Sequence, residues 1–323
     1  MRALLDTMII PGNVTINFIN DDFLLHDFNT KYDIVIGNPP YKKITKEKDL
    51  LRKYKCGLYN QDTNNIFSFF IEKSLTLGDY VSLIVPKSLI NAPEFNKTRE
   101  LLNKHRITNI FDFGEKGFKG VKIETVCFIA QPGKTPKTTT VESYITNEHI
   151  AYNQSYITDS AYPYWLIYRN DDFDSVADRM TFNIFKAYRD RSITKSNTKE
   201  TGKVRVLKSR NIGDNTIINI PGYDCYIDDY ENLDVSKYLN QRGCILVPNL
   251  TYSPRACVLP ENCITDGSVA ILTPINKDDK ITSKDLAFYA TPEFIEFYAI
   301  ARNRGTRSLN IDNNSVFFFG KLI

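Results

Sequence analysis

The sequence is poor in the residues that build metal and disulfide sites. It has three histidines and six cysteines in 323 residues. The cysteines (Cys56, Cys127, Cys225, Cys244, Cys257, Cys263) form no CxxC pair. A zinc site or a disulfide framework is not expected, and reduced thiols in the cytoplasm are the natural reading. No run reaches the ~20 apolar residues that cross a bilayer. No apolar secretory segment follows Met1 either, so neither a membrane nor export is expected. Charge of one sign is scarce: 41 basic against 38 acidic residues leave a net +3, which alone does not argue for nucleic acid. Fixed-period repeats and low-complexity tails are missing. Glycine is also sparse ahead of residue 38, at Gly12 and Gly37 alone, so no strand–GxG–helix unit for cradling phosphate or a nucleoside fits there.

What is present is ordinary globular material, with 42% hydrophobic and 24% charged residues and length enough for two domains. Residues 16–20 and 32–37 read as apolar strands. A helix is expected over 62–77, capped by Asp62 or Thr63, with Ile66, Phe70, Ile71 and Leu75 on one face. Tyr80–Val85 reads as a buried strand ending at Pro86, 93–105 as an amphipathic helix, and 107–113 and 123–130 as strands. Strands alternating with helices predict a parallel-rich α/β sheet to about residue 130. Residues 131–160 read as a strand plus linker. Beyond 161 the texture changes to short strands (Val204–Leu207, Cys244–Pro248, Val269–Thr273) with helices near 181–190 and 284–301. The expected division is a first domain over 1–145 and an α+β domain over 160–323.

The most informative run is Asp33-Ile34-Val35-Ile36-Gly37-Asn38-Pro39-Pro40-Tyr41. An apolar strand stops at an amide, two prolines and an aromatic ring. The prolines stiffen the turn and cannot continue a ladder. Such a turn at the carboxyl edge of a strand is where open α/β sheets present ligand groups. It offers an amide oxygen, a carbonyl on Pro39 and a flat ring.

The tetrad Asn38-Pro39-Pro40-Tyr41 resembles the catalytic motif of amino-methyltransferases that use S-adenosylmethionine. The whole chain resembles adenine-specific (N6) DNA methyltransferases of type II, type IIS-like, gamma-class restriction–modification systems. The resemblance implies a Rossmann-like methyltransferase sheet followed by a target-recognition domain. It further implies that Asn38 and Pro39 accept hydrogen bonds from the N6 amino group of a flipped adenine, with Pro40 holding the turn and Tyr41 stacking the base. Phe118, in the loop after Phe111-Asp112-Phe113-Gly114, is the candidate for the opposite face of the base. Asp22 and Phe23, within Asn20-Asp21-Asp22-Phe23-Leu24-Leu25, are the candidates for the cofactor adenine, with Asn38 also beside the cofactor. A weaker likeness places Pro86-Lys87-Ser88 in the next cofactor-side loop.

In the second domain Lys203, Arg205, Lys208 and Arg210 alternate along one run, and Arg302, Arg304 and Arg307 cluster after a helix. Arg255 lies in a turn. These eight are the candidates for contacts to double-stranded DNA.

One part of the family pattern is lacking. The expected sheet is partial, strands 3 to 7 of an order 3-2-1-4-5-7-6, without the strands that carry the glycine-rich cofactor loop. The catalytic strand would then expose an apolar edge. A second chain bearing that loop, or a longer parent protein, is expected, and the isolated chain should bind the cofactor weakly. A glutamine methyltransferase is disfavoured because its substrate domain precedes the catalytic fold. The reading from another class is a non-catalytic DNA-binding specificity subunit or remnant.

Overall fold

A computed structural model describes residues 12–118, 120, 122–249, 253–276, 278–306 and 310–323. Its largest sheet has six strands: β1 (Tyr32–Gly37), β2 (Gly78–Pro86), β3 (Arg106–Gly114), β4 (Thr125–Gln131), β5 (Thr138–Ser143) and β6 (Glu148–Asn153). Their spatial order is β1-β2-β4-β3-β5-β6. Helices α1 (Lys48–Lys55), α2 (Ile66–Leu77), α3 (Ser88–Asn91) and α4 (Asn96–Asn103) fill the connections, with a single 3-10 turn at Pro93–Phe95. Phe67, Ile71 and Leu75 of α2 and Leu102 of α4 pack on Val81, Leu83, Val85, Ile110, Val126 and Phe128 of the sheet.

The sheet is mixed, not parallel-rich. Only β1–β2 and β3–β5 pair parallel, whereas β2–β4, β3–β4 and β5–β6 are antiparallel. The link from β3 to β4 folds back as a hairpin, and β4 then inserts between β2 and β3, antiparallel to both. Residues 16–20 are exposed and form no strand. Among the described residues no strand lies beside them to complete a ladder, and an unpaired segment cannot be a strand however apolar it is.

The core of the first sheet runs on past β6. Tyr164, Trp165, Leu166, Ile167 and Tyr168, then Phe173 of α6 (Asp171–Ala177), join it to Phe288, Phe294, Phe297, Phe318 and Phe319. The short helix α5 (Gln154–Ile157) leads into this stretch. A second, smaller core of Val206, Ile227, Cys244, Leu246, Ile264 and Ile271 lies among the short strands of the second half. These are β9 (Val204–Leu207), β10 (Cys225–Ile227), β11 (Ile245–Pro248), β12 (Cys257–Val258), β13 (Cys263–Thr265) and β14 (Val269–Pro274).

The helix expected near 181–190 is instead strand β7 (Met180–Thr181), then strand β8 (Phe185–Tyr188), which pairs antiparallel with β14. Asn183 between them has a left-handed φ of 57°, which ends any helix. The helix expected at 284–301 is two, α7 (Ser283–Tyr289) and α8 (Pro292–Ala301). Pro292 lacks the N–H that a continuous helix needs and opens the second one at its first position. Strand β15 (Lys321–Leu322) closes on β7.

Candidate functional site: a stiff turn at an open sheet edge

β1 pairs with β2 up to Gly37↔Leu83, and the tetrad follows at once. Beyond the tetrad the chain is fastened again: Ile66 N donates to Lys42 O (2.9 Å), and Ile44 N donates to Asn64 O (3.0 Å). The Ile44 side chain is buried. The turn is therefore anchored at both ends, with two prolines limiting its backbone between them. Pro39 is buried, whereas Asn38 and Pro40 are exposed. No hydrogen bond among the described residues engages the Asn38 amide or the Pro39 carbonyl. Both acceptors lie unused on a backbone that cannot easily move.

Tyr41 is half-buried. Its hydroxyl donates to Ile84 O of β2 at 3.1 Å, and its ring meets Phe67 edge-on at 6.4 Å. Burial pushes its phenol up to about 12, with Cys127 adding to the shift. Tyr54 is likewise pushed up to about 12, by burial first and then by its bond to Asp22. Between the ordinary tyrosine value of ~10 and about 12, the unfolded chain loses these protons while the folded chain keeps them. Stability is complete below pH ~10 and falls as pH rises through that window. Difference ultraviolet titration of the chain against its Tyr41→Phe and Tyr54→Phe variants should place both phenols at about pH 12. A difference signal already complete near pH 10 would contradict this.

Asp22 and Phe23 form a loop held by helix α2. Lys73 Nζ donates to Leu24 O (3.0 Å) and His26 O (2.6 Å) and lies 5.7 Å from the Phe23 ring centre. Phe23 stacks on Phe70 at 4.7 Å. The Asp22 carboxylate accepts from Leu24 N (2.9 Å) and from the Tyr54 hydroxyl (2.5 Å), one donor on each oxygen. Each oxygen therefore retains an acceptor site. Phe118 lies half-buried in the β3–β4 connection. That loop is tight: Gly114 takes φ +52°, and a Cβ on Gly117 would stand 2.2 Å from Thr125 Oγ1.

The basic candidates divide sharply. Lys203 and Arg210 are exposed, and the Arg210 guanidinium lies 4.8 Å from the Tyr223 ring. Lys208 donates to Tyr223 O and sits over the same ring at 3.9 Å. Arg205 is held by Asp224 (2.8 Å) and Asn219 (2.7 Å), and Arg255 by the carbonyls of Ile212, Ser253 and Ser209. These two brace the second core. Arg302 is 3% exposed beside the buried Tyr164 and Tyr298, so it cannot reach a phosphate. It sits at the end of an apolar helix, where sequence alone does not separate a buried guanidinium from an exposed one. Arg304 bonds Glu296 at 2.5 Å. Arg307 lies outside the described residues. The run over 203–210 is not one continuous strand, because β9 ends at Leu207 and Lys208 begins a turn.

Sequence reasoning missed a buried ionic cluster on the same side of the sheet. Pro86 pairs with Thr125, and Thr125 with Gly114, three residues beyond the row containing Gly37. There Lys87 Nζ meets Asp112 Oδ2 at 2.6 Å and Glu124 Oε1 at 4.0 Å. Tyr168 donates to Asp112 Oδ2 (2.6 Å) and lies 2.7 Å from Ser143 Oγ. Burial and the Asp112 carboxylate push its phenol far up, so the proton stays on Tyr168. The available signal was a charge inside each of two apolar strands, since buried charges must be paired.

Comparison with known proteins gives a family match in the first third of the chain. Residues 11–118 match the Eco57I restriction-modification methylase family. The matched segment contains the tetrad, Asp22, Phe23 and Phe118, and the match bears out the resemblance to restriction-modification methylases there. The chain is 29% identical over 178 residues to the type II methyltransferase M.BsuBI of Bacillus subtilis, covering 52% of this chain and 34% of that protein. It is 31% identical over 109 residues to M.VspI of Vibrio sp. (strain 343), covering 32% and 26%. The chain thus spans only about a third of the first relative and a quarter of the second. A solved structure of the type IIL restriction-modification enzyme MmeI in complex with DNA superposes with a TM-score of 0.51 at 11% identity, over 88% of this chain and 46% of that one. At that identity the likeness concerns fold. It extends through the second half, in keeping with the expected α/β sheet followed by an α+β region. Among the described residues no helix is long and apolar enough to cross a membrane.

Proposed function

We propose that this chain is the catalytic and DNA-reading part of a site-specific DNA methyltransferase of a restriction–modification system, acting on adenine N6. The observation that carries the reading is the pair of free acceptors, Asn38 Oδ1 and Pro39 O, on a turn fastened at both ends. An exocyclic amino group has two N–H donors and a lone pair delocalised into its ring. Two fixed acceptors draw the nitrogen toward tetrahedral geometry and free that lone pair, so catalysis is by orientation and electrostatics. Tyr41, its hydroxyl tied to β2, presents a ring against which the extruded base stacks. Phe118 closes from the other side, and the stacking offsets part of the few kcal/mol of unpairing. Asp22 and Phe23 would hold the adenine end of S-adenosylmethionine, with Asn38 near its reactive end; when bound, that molecule supplies the methyl group. Lys203, Lys208, Arg210, Arg304 and Arg307 are the proposed DNA contacts, within a reading region over 160–323 that follows the catalytic region over 1–145.

The cofactor cradle is completed from outside the described residues. Ile34 and Ile36 of β1 are 63% and 79% exposed, and Val14, Ile16, Phe18, Ile19 and Tyr80 are exposed as well. A polypeptide carrying a glycine-rich strand–loop–helix would add its strands to this edge. Burying each isoleucine favours docking by ~1.5–3 kcal/mol. Replacing both (Ile34→Lys with Ile36→Lys) should change the stability of the isolated chain by less than ~0.5 kcal/mol. It should also reduce self-association in sedimentation velocity and abolish co-elution with the completing polypeptide. Undiminished co-elution would place the partner elsewhere. Transfer of labelled methyl groups from S-adenosylmethionine to unmethylated DNA by the completed enzyme tests the function itself: Asn38→Ala should lower it at least ~100-fold, and labelling near the wild-type rate would reject the assignment.

A further inference from the structure

The buried cluster around Lys87 is joined to a turn from the far end of the chain. Asp112 and Glu124 both face the Lys87 ammonium, and buried charge is costly unless every group is compensated. Glu124 is also bonded from outside the sheet, where Thr306 N donates to its Oε1 at 2.9 Å. Thr306 Oγ1 also donates to Glu115 Oε1 at 2.9 Å. Glu115 directly follows β3 and Glu124 directly precedes β4, so a single residue grips both ends of the connection that carries Phe118. The turn holding Thr306 is itself rigid. Asn303, fully buried with φ 50°, donates to Trp165 O (2.8 Å) and accepts from Ile167 N (2.8 Å). Arg304 stands 5.9 Å from the ring of Tyr168, which bonds Asp112.

We infer that the 303–306 turn is a latch that positions the Phe118 loop, with Thr306, Glu115 and Glu124 as positioning residues and the Lys87–Asp112–Tyr168 cluster as their anchor. The inference rests on the proposed function for the meaning of Phe118, but the latch itself is a physical coupling measurable without turnover. Loops whose ends are tied by charge-assisted hydrogen bonds open more slowly than free loops.

The test compares Thr306→Val with Thr306→Ser, and adds Glu124→Gln. Thr306→Val removes the hydroxyl donor to Glu115 while keeping shape and the backbone bond. Hydrogen exchange of the peptide spanning 114–118 should quicken by ~10-fold in Thr306→Val and in Glu124→Gln, and stay at the wild-type rate in Thr306→Ser. Emission from Trp165, the only tryptophan, should be unchanged in the threonine variants and so certify the fold. In the completed enzyme, with sheared unmethylated phage DNA as substrate, Thr306→Val should raise KM for DNA ~10-fold with kcat within ~3-fold, because Asn38 is untouched. Faster exchange confined to 303–306, with 114–118 unaffected, would overturn the latch. So would a fall in kcat at constant KM. An active Asn38→Ala enzyme would instead reject the functional reading, and the exchange result would still decide the latch.

Discussion

Replacing Asn38 by alanine is expected to lower methyl transfer by the completed enzyme at least ~100-fold, the size of effect seen when one fixed electrostatic partner of a transition state is deleted. That corresponds to ~2.7 kcal/mol of lost transition-state stabilisation. Stability should barely change, because the Asn38 side chain is exposed and bonds nothing among the described residues. Exposed positions without partners shift stability by about ±0.5 kcal/mol. The contrast is the point: a side chain with no structural duty, held on a backbone fastened on both sides, is available for a ligand. Labelled transfer to DNA and urea unfolding, measured on one preparation, check both halves. A modest loss of activity, or a large loss of stability, would mean that Asn38 serves the fold.

The second large effect lies in the ionic cluster. Asp112→Ala should destabilise the chain by ~3–5 kcal/mol, because among the described residues it leaves the buried Lys87 ammonium only Glu124, at 4.0 Å, to face. Side-chain exposures of 4% for Lys87 and 0% for Asp112 leave little water to compensate. Tyr168 would lose one of its two hydroxyl partners as well. The double change Lys87→Met with Asp112→Leu should recover much of that loss, since removing both charges removes the desolvation cost along with the attraction. The midpoint and slope of urea unfolding report this. A loss below ~1 kcal/mol for Asp112→Ala would show that the pair is solvated.

How far the fold was legible depended on whether a signal was local. β1 and its stop at Asn38-Pro39-Pro40 were readable because β-branched residues and prolines act within a few positions. The end of β2 at Pro86 was readable for the same reason. The place of β4 between β2 and β3 came through the family resemblance, whose order 4-5-7-6 it matches, and not from the residues themselves, because strand order is decided by packing between distant segments. Residues 181–190 misled because Phe182, Phe185 and Tyr188 match helical spacing; the left-handed Asn183 and the partner strand β14 decide otherwise. Ser283–Ala301 was recognisably helical, and Pro292 marked its break.

The candidate site divides the same way. The tetrad is contiguous, so its chemistry could be read directly. Phe118 and Asp22 could be named but not placed. The latch joins residues 182 positions apart and leaves no pattern in a single sequence. Basic residues were the least legible. Arg205, Arg255 and Arg302 brace the interior, and a guanidinium suits a buried carbonyl or carboxylate as well as it suits a phosphate.

The central claim is that Asn38 and Pro39 jointly hold the exocyclic amino group of adenine. Nucleoside mass spectrometry of DNA modified by the completed enzyme tests it most directly, and needs no knowledge of the recognised sequence. N6-methyladenine is predicted as the only new methylated nucleoside, formed at least ~100-fold more slowly after Asn38→Ala. 5-Methylcytosine would contradict the account, because methylation at carbon has no use for two acceptors on an amino group, and N4-methylcytosine would contradict the assignment to adenine.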